Sequence, residues 1–406
     1  MKILHTSDWH LGHTLYNYDR TVEQQAFLRQ LTRIVTEEQP DAMVVSGDIY
    51  HYSSPAAATQ KMYTDAMLNI HQACPEMTIV VTAGNHDGQA RLAAHEDLWK
   101  LARVKVVGAM RRHETAAELV DDILVDIDGK GWILALPYTP TSRLTSEFFA
   151  DIAAEIGRRN TAGRPVVYMA HATVRGCNFR GHDNASEKLV GGLESVSSAV
   201  FGDGYDYLAL GHIHVAQTLN DNGRIRYSGT PLAINFDEPV AHTVSIVEIG
   251  DDHSVNIREV PLSQKRPLVT IGGPDGQEWD QVKEILEAYM ANPEAAGIKP
   301  GSFVRLNVSL DADGAIPADA ENEARQIIEG AGCHFCLINA IRKDTAKASL
   351  EHRMMTVSEL QQISPLEIAK LHYMDKFDNK AMPQDLQDMF TEVMNAIANG
   401  ANEESE

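Results

Sequence analysis

Through the first 260 residues one pattern recurs: a short, continuous apolar run of strand length, then a cluster of Asp, His, Asn and Gly. Ile3-Leu4 leads into His5-Thr6-Ser7-Asp8-Trp9-His10, Met43-Val44-Val45 into Ser46-Gly47-Asp48, and Ile79-Val80-Val81 into Gly84-Asn85-His86-Asp87. Val166-Val167-Tyr168-Met169 leads into Ala170-His171, and Leu208-Ala209-Leu210 into Gly211-His212-Ile213-His214. Runs that are apolar throughout, rather than alternating, predict strands buried on both faces and therefore an α/β sheet covered on both sides. Ligands of such sheets gather beyond the carboxyl ends of the strands, which is where all five clusters fall. Trp132–Pro137 reads as a further strand with no chemical cluster behind it.

Helical spacing separates the early strands. Phe27, Leu31, Ile34 and Val35 share a face before Pro40 stops the run, and Ser54-Pro55 opens a helix that carries Met62, Ala66, Met67 and Ile70. Gly223–Phe236 reads as turn, strand and loop, closing a first domain over residues 1–260. Leu262–Pro267 reads as a linker. Strand, helix, strand, helix, strand then follow in a small α+β domain over 266–345, with Phe303–Val308 alternating as a half-buried strand and a helix over Pro317–Glu329. From residue 356 to 400 the pattern is helical again: Ser364-Pro365-Leu366-Glu367 is a capping box, and Leu386, Met389, Phe390, Val393, Met394 and Ile397 form one stripe. That stripe either packs on the preceding domain or docks a partner. The acidic end, Asn402–Glu406, predicts a disordered tail.

Composition narrows the classes. Lys plus Arg number 35 and Asp plus Glu 57, a net charge of −22, which argues against holding nucleic acid or anionic membrane by bulk charge. No apolar run approaches the ~20 residues of a membrane span, and the amino terminus does not read as a signal peptide. Four scattered cysteines fit a reducing, cytoplasmic setting; Cys333-x-x-Cys336 has no second pair and reads as two small residues of a strand. No G-x-x-x-x-G-K-[ST] loop is present, so ATP hydrolysis is not expected of this chain.

Asp8-x-His10 and Gly47-Asp48 are weak signals by themselves, whereas Gly84-Asn-His-Asp87 and Gly211-His-Ile-His214 are not expected by chance. Asp, His and Asn oxygen and nitrogen donors without a thiolate suit Mn²⁺ or Fe²⁺ better than structural zinc, with Mg²⁺ disfavoured by the histidines. Seven such side chains exceed what one ion needs. Two ions about 3.5–4 Å apart sharing a carboxylate would use them all and clamp a phosphoryl group.

Together these motifs resemble the full set of the calcineurin-like metallophosphoesterases, and the opening Lys2–Gly12, Tyr227–Pro231 and Phe236–Glu238 resemble the nuclease members of that family. The resemblance implies a β-sandwich of the metallophosphoesterase type flanked by helices, with a small α+β capping domain and a C-terminal helical arm. It implies one metal held by Asp8, His10, Asp48 and His214 and another by Asp48, Asn85, His171 and His212. His86 would stabilise the phosphate or protonate the leaving oxygen, with Asp87 holding it from behind. His51 matches a variable position, leaving phosphate placement and a merely solvated loop histidine both open. Ala170 stands where the family usually has Gly, and Thr230 where Ser is common. The histidines at 5, 13, 95, 182 and 242 have no ligand spacing, His5 being expected behind the site and His13 near its mouth.

The implied activity is a metal-dependent DNA nuclease using two ions, Mn²⁺ first. It would cut ends and hairpins within an ATP-driven complex of DNA repair, replication and recombination. The implied partners are DNA, an SMC-like coiled-coil ATPase gripped by the C-terminal helices, and a second copy docked through helices near Pro55–Ala73 and Arg91–Ala102. Arg175, Arg180, Arg111-Arg112 and Arg342-Lys343 are the basic positions available to DNA, though basic pairs are usually solvated surface. The alternatives are a phosphatase or cyclic-nucleotide phosphodiesterase on the same fold, and a non-catalytic adaptor for an ATPase.

Overall fold

The structure, a computed structural model, describes residues 1–179, 195–219, 223–238, 241–311 and 314–342, with isolated positions beyond 369. The predicted helices of 356–400, and Arg180, His182 and Lys343, lie outside the described residues. Residues 1–310 and 315–341 form one compact unit, and 311–314 with 342–406 a second.

The five cluster-bearing runs are all strands: β1 (Lys2–Thr6), β2 (Ala42–Ser46), β3 (Thr78–Thr82), β4 (Val166–His171) and β5 (Tyr207–Gly211). The first three lie parallel in one six-stranded sheet, between Val104–Val107 at one side and the antiparallel pair Thr243–Ile249 and Val255–Pro261 at the other. The other two lie parallel in a second six-stranded sheet, with Trp132–Ala135 beside β4 and Ile225–Tyr227 beside β5. The inner faces pack as a sandwich, Ile3, Val44 and Val80 from one sheet sharing a core with Val167, Met169 and Leu208 from the other. Helices α1 (Thr21–Glu38) and α2 (Ala57–Ala73) cover the outer face of the first sheet through Phe27, Leu31, Met67 and Ile70. The helix at 54–55 starts two residues later than expected: Ala56 is its N-cap, and the Pro55 carbonyl takes a bond from Gln60 Nε2 at 2.9 Å.

The last third of the unit follows the expected element order. Strands Leu268–Ile271, Phe303–Leu310 and His334–Arg342 form a sheet whose core, including Val304, Leu306, Val308 and Phe335, is closed by helices Trp279–Ala291 and Ala320–Gly330. Cys333 is buried at the edge of that core and Cys336 is half-buried; both are free thiols. Arg266, in the linker, makes a two-pronged ion pair with Glu23 and stacks over the Phe303 ring at 5.1 Å. Arg20, fully buried, reaches the same ring from the start of α1 at 5.4 Å.

Candidate metal centre

Three of the five clusters leave their strands on turns that the backbone makes at some cost. Asp8, His10, Asp48 and His212 all adopt positive φ (53°, 43°, 52° and 95°), which non-glycine residues rarely tolerate and which concentrates at functional sites. Gly47, at φ +85°, has no alternative: a Cβ there would sit 2.2 Å from His171 Nδ1. Gly84 is equally constrained, with a Cβ falling 2.0 Å from Asp48 Oδ1. The turns are tied together by Asp8 N to Gly47 O and His10 N to Asp48 O, both at 3.0 Å.

These turns bring the expected side chains into one place. Ligand-capable atoms of Asp8, His10 and His214 converge within 4.8 Å of one another, and so do those of Asp48, His171 and His212. Asp48 Oδ2 lies between the groups, 3.7 Å from His10 Nε2 and 3.3 Å from His171 Nε2. Asn85 Oδ1 completes the second group at 3.0 Å from His171 Nε2 and 3.1 Å from His212 Nδ1.

The donor set suits a cation. His171 Nδ1 is 2.9 Å from the Ser46 carbonyl, which only accepts, so Nδ1 carries a proton and Nε2 is the atom turned toward Asp48 and Asn85, holding a second proton when the ring is charged and a lone pair for a cation when it is not. His10 Nε2 and His214 Nε2 face each other at 3.3 Å. Electron pairs aimed at one another in a dry site need a proton or a metal between them. The ligand orientation is fixed from behind: His214 Nδ1 meets Glu238 Oε1 at 3.1 Å, the carboxylate–imidazole arrangement that fixes tautomers in metal sites. Thr230 Oγ1 lies 2.9 Å from both the Asp8 and the Leu232 carbonyls, to which its hydroxyl can donate.

Electrostatics follow from burial. Burial pushes the Asp8 carboxyl up to about 7, and pulls His10 down to about 3 against the attraction of Asp48. Burial opposes the charged forms of Asp48 and His171 as well, but each stabilises the other: Asp48 stays well below the usual carboxylate range and His171 rises.

His86 sits beside this centre, its backbone N–H on Asp48 Oδ1 at 2.9 Å and its ring 5.0 Å from that of His10. The expectation that Asp87 holds the His86 ring is corrected here. Both Asp87 oxygens are occupied by backbone amides, of Gly84 (2.8 Å), Ile49 (3.1 Å) and Tyr50 (2.9 Å), and the His51 carbonyl takes His86 Nδ1–H at 3.0 Å. His51 also brings its ring in, stacked on His86 at 5.4 Å with Nδ1 3.4 Å from His10 Nδ1. His10, His51 and His86 form a third convergent group. His13 packs against His51 at 4.6 Å, and His5 lies behind the strands, bonded to Tyr207 Oη at 2.8 Å.

Sequence reasoning missed the supports of this centre. Ser46 and Glu238 lie within motifs that gave them no supporting role, and Tyr138, whose ring stands 6.2 Å from that of His171, lies in none. Tyr138 follows the strand that had no chemical cluster, and its N–H is tied to Ala83 O at 2.8 Å. Of the basic positions, Arg111 is engaged by Glu96 and Asp122 at 3.7 and 3.4 Å.

This two-group site, at the strand ends of a β-sandwich, is that of a phosphoesterase. Residues 1–216 match the calcineurin-like phosphoesterase pattern, and the chain belongs to that family. Within it the chain is 33% identical over 346 residues to the SbcD component of the SbcCD nuclease of Rhodobacter capsulatus, covering 77% of this chain and 81% of that one. It is 26% identical over 418 residues to the protein of the same name from Escherichia coli K12, covering 98% and 99%. The Bacillus subtilis protein of that name is 30% identical over 311 residues, covering 71% of this chain and 74% of its own.

Proposed function

We propose that this chain is a metal-dependent DNA nuclease, hydrolysing phosphodiester bonds at ends and hairpins as the nuclease component of an SbcC–SbcD-type complex. The carrying observation is Asp48 Oδ2 standing between two convergent ligand groups, the geometry a shared carboxylate needs. Asp8, His10, Asp48 and His214 would hold one ion and Asp48, Asn85, His171 and His212 the other, Mn²⁺ suiting the mixed N/O donors. Bound divalent ions would supply Lewis-acid stabilisation of the phosphoryl oxygens and an activated water.

The chain's own residues do the rest. His86 has Nδ1–H committed to the His51 carbonyl, which turns Nε2 to the site; the ring in its doubly protonated, imidazolium form would pass the Nε2 proton to the departing 3′ oxygen and be left neutral. His51, stacked on His86, sets that ring's plane and stands where it can meet a phosphate oxygen. Asp87 acts one step back, by holding the two turns together.

Residues 1–260 form the nuclease domain in this reading, 266–345 the capping domain and 356–400 the arm that grips the coiled coil of an SbcC-type ATPase in the cytoplasm. No helix among the described residues is long and apolar enough to cross a membrane. Homodimerisation through α2 and residues 91–102 is supported by Leu68, Leu98 and Leu101, which are 42%, 66% and 84% exposed. The test is a Mn²⁺-dependent cleavage assay on hairpin and blunt-ended DNA, with and without the ATPase, beside a simple aryl phosphodiester. Cleavage of DNA is expected. Turnover of the aryl ester with no cleavage of either DNA in any condition would reassign the chain to the small-molecule phosphodiesterases.

A further inference from the structure

An open cleft of about 570 Å³ lies between α1, the linker and the Lys299 segment, lined chiefly by Arg29, Gln30, Arg33, Gln264, Lys265 and Lys299. No lining residue is acidic, in a chain whose 57 Asp and Glu outnumber its 35 Lys and Arg. Among the described residues Arg29 and Lys265 make no ion pair or side-chain hydrogen bond. Arg33 meets only Glu37 of its own helix, at 3.7 Å, and Lys299 Nζ donates to the Gln264 carbonyl at 3.3 Å. Four like charges gathered in one cleft repel, and an anion laid across them relieves that repulsion.

The cleft is also built. Gln30 accepts from Ser263 N at 2.9 Å and donates to Ser263 O at 2.9 Å, latching the linker to α1. Gln264 Nε2 donates to the Pro231 carbonyl at 3.1 Å. Pro231 adjoins Thr230, whose hydroxyl holds the Asp8 carbonyl. Gln264 is thus two hydrogen bonds and one peptide unit from the main chain of Asp8. The lining holds no aromatic side chain and nothing apolar beyond Ala26, so it offers no stacking platform for bases and no pocket for peptide side chains. Such a surface contacts phosphates without reading sequence.

We infer that this cleft binds the phosphodiester backbone of nucleic acid flanking the bond at the metal centre. The inference rests on the nuclease reading. None of the basic positions picked out from the sequence lines it.

The test uses the full chain with Arg29→Ala and Lys265→Ala combined, beside an Arg158→Ala/Lys283→Ala control that removes the same charge from ion-paired surface positions. Binding of a labelled duplex is followed by anisotropy from low to moderate salt, and Mn²⁺-dependent turnover of an aryl phosphodiester is measured in parallel. The cleft variant should keep aryl-ester turnover within twofold, bind DNA at least tenfold more weakly at low salt, and flatten the log–log salt dependence by about 2, one unit per lost phosphate contact. An unchanged slope, or an equal fall in the control, overturns the inference. So does an unchanged slope with loss of ATPase co-purification, which would assign the cleft to an acidic protein surface. Weakened binding in a chain that never cleaves DNA would sink the nuclease reading and leave the cleft's ligand standing.

Discussion

An imidazole does different work according to which nitrogen is already committed. His171 gives Nδ1 to the Ser46 carbonyl and so turns Nε2 to the metal centre; His86 gives Nδ1 to the His51 carbonyl and keeps Nε2 for a proton. His86→Ala should therefore leave bound Mn²⁺ per chain unchanged while lowering cleavage by roughly 10²–10⁴-fold, read by metal analysis and by single-turnover kinetics on the same sample. His5 shows a third use. Burial, aided by Arg226, holds it down to about 3, so it stays neutral in the folded chain while the unfolded chain protonates it near 6.5. Stability linked to His5 is complete above 6.5 and is lost as the pH falls, by about 2 kcal/mol at pH 5. Urea midpoints of His5→Gln and wild type should accordingly converge as the pH drops from 7 to 5. Parallel midpoints across that range would show that His5 is protonated in the folded chain. His171 and His86 could be picked out from their places after strands; their tautomers could not, because the deciding partners are main-chain carbonyls that every residue carries.

At the scale of elements, strand runs and their clusters could be read directly, since a strand buried on both faces has only one composition open to it. The turns after β2 and β3 were misread in one respect. Adjacency of His86 and Asp87 suggested a side-chain pair, yet consecutive residues in a tight turn point apart, and the carboxylate points back at the amides of Ile49, Tyr50 and Gly84. Asp87 is thus the clamp between two loops that each supply ligands, and burial pushes its carboxyl up to about 6. Asp87→Asn would set an NH₂ group against one of those amides, costing about 2 kcal/mol and loosening the metal groups together. The expected signature is a lower melting temperature with Mn²⁺ affinity reduced in step. A variant that melts earlier yet binds Mn²⁺ as wild type does would separate the clamp from the site.

For the molecule as a whole, the charge of −22 implies weak binding of DNA by general attraction, so local devices must do the holding. Metal ions at the strand ends, a basic cleft beside the linker and a second copy of the chain would each contribute. The exposed Leu98 and Leu101 make the last testable: wild type is expected to sediment as a dimer at micromolar concentration, and Leu98→Asp with Leu101→Asp as a monomer with an unchanged far-UV spectrum. A wild-type monomer would remove these leucines from any interface.

The sequence by itself determined the ligand types, their order and the strands that carry them, because apolar runs and polar clusters are local properties of the chain. It determined neither Glu238 behind His214 nor the meeting of Arg29 with Lys265 in one cleft. Those pairings join residues 24 to 236 positions apart in the chain, as Glu238 to His214 and Lys265 to Arg29 are among them. Only the packing of two sheets, and of the linker against α1, brings such distant residues to one place.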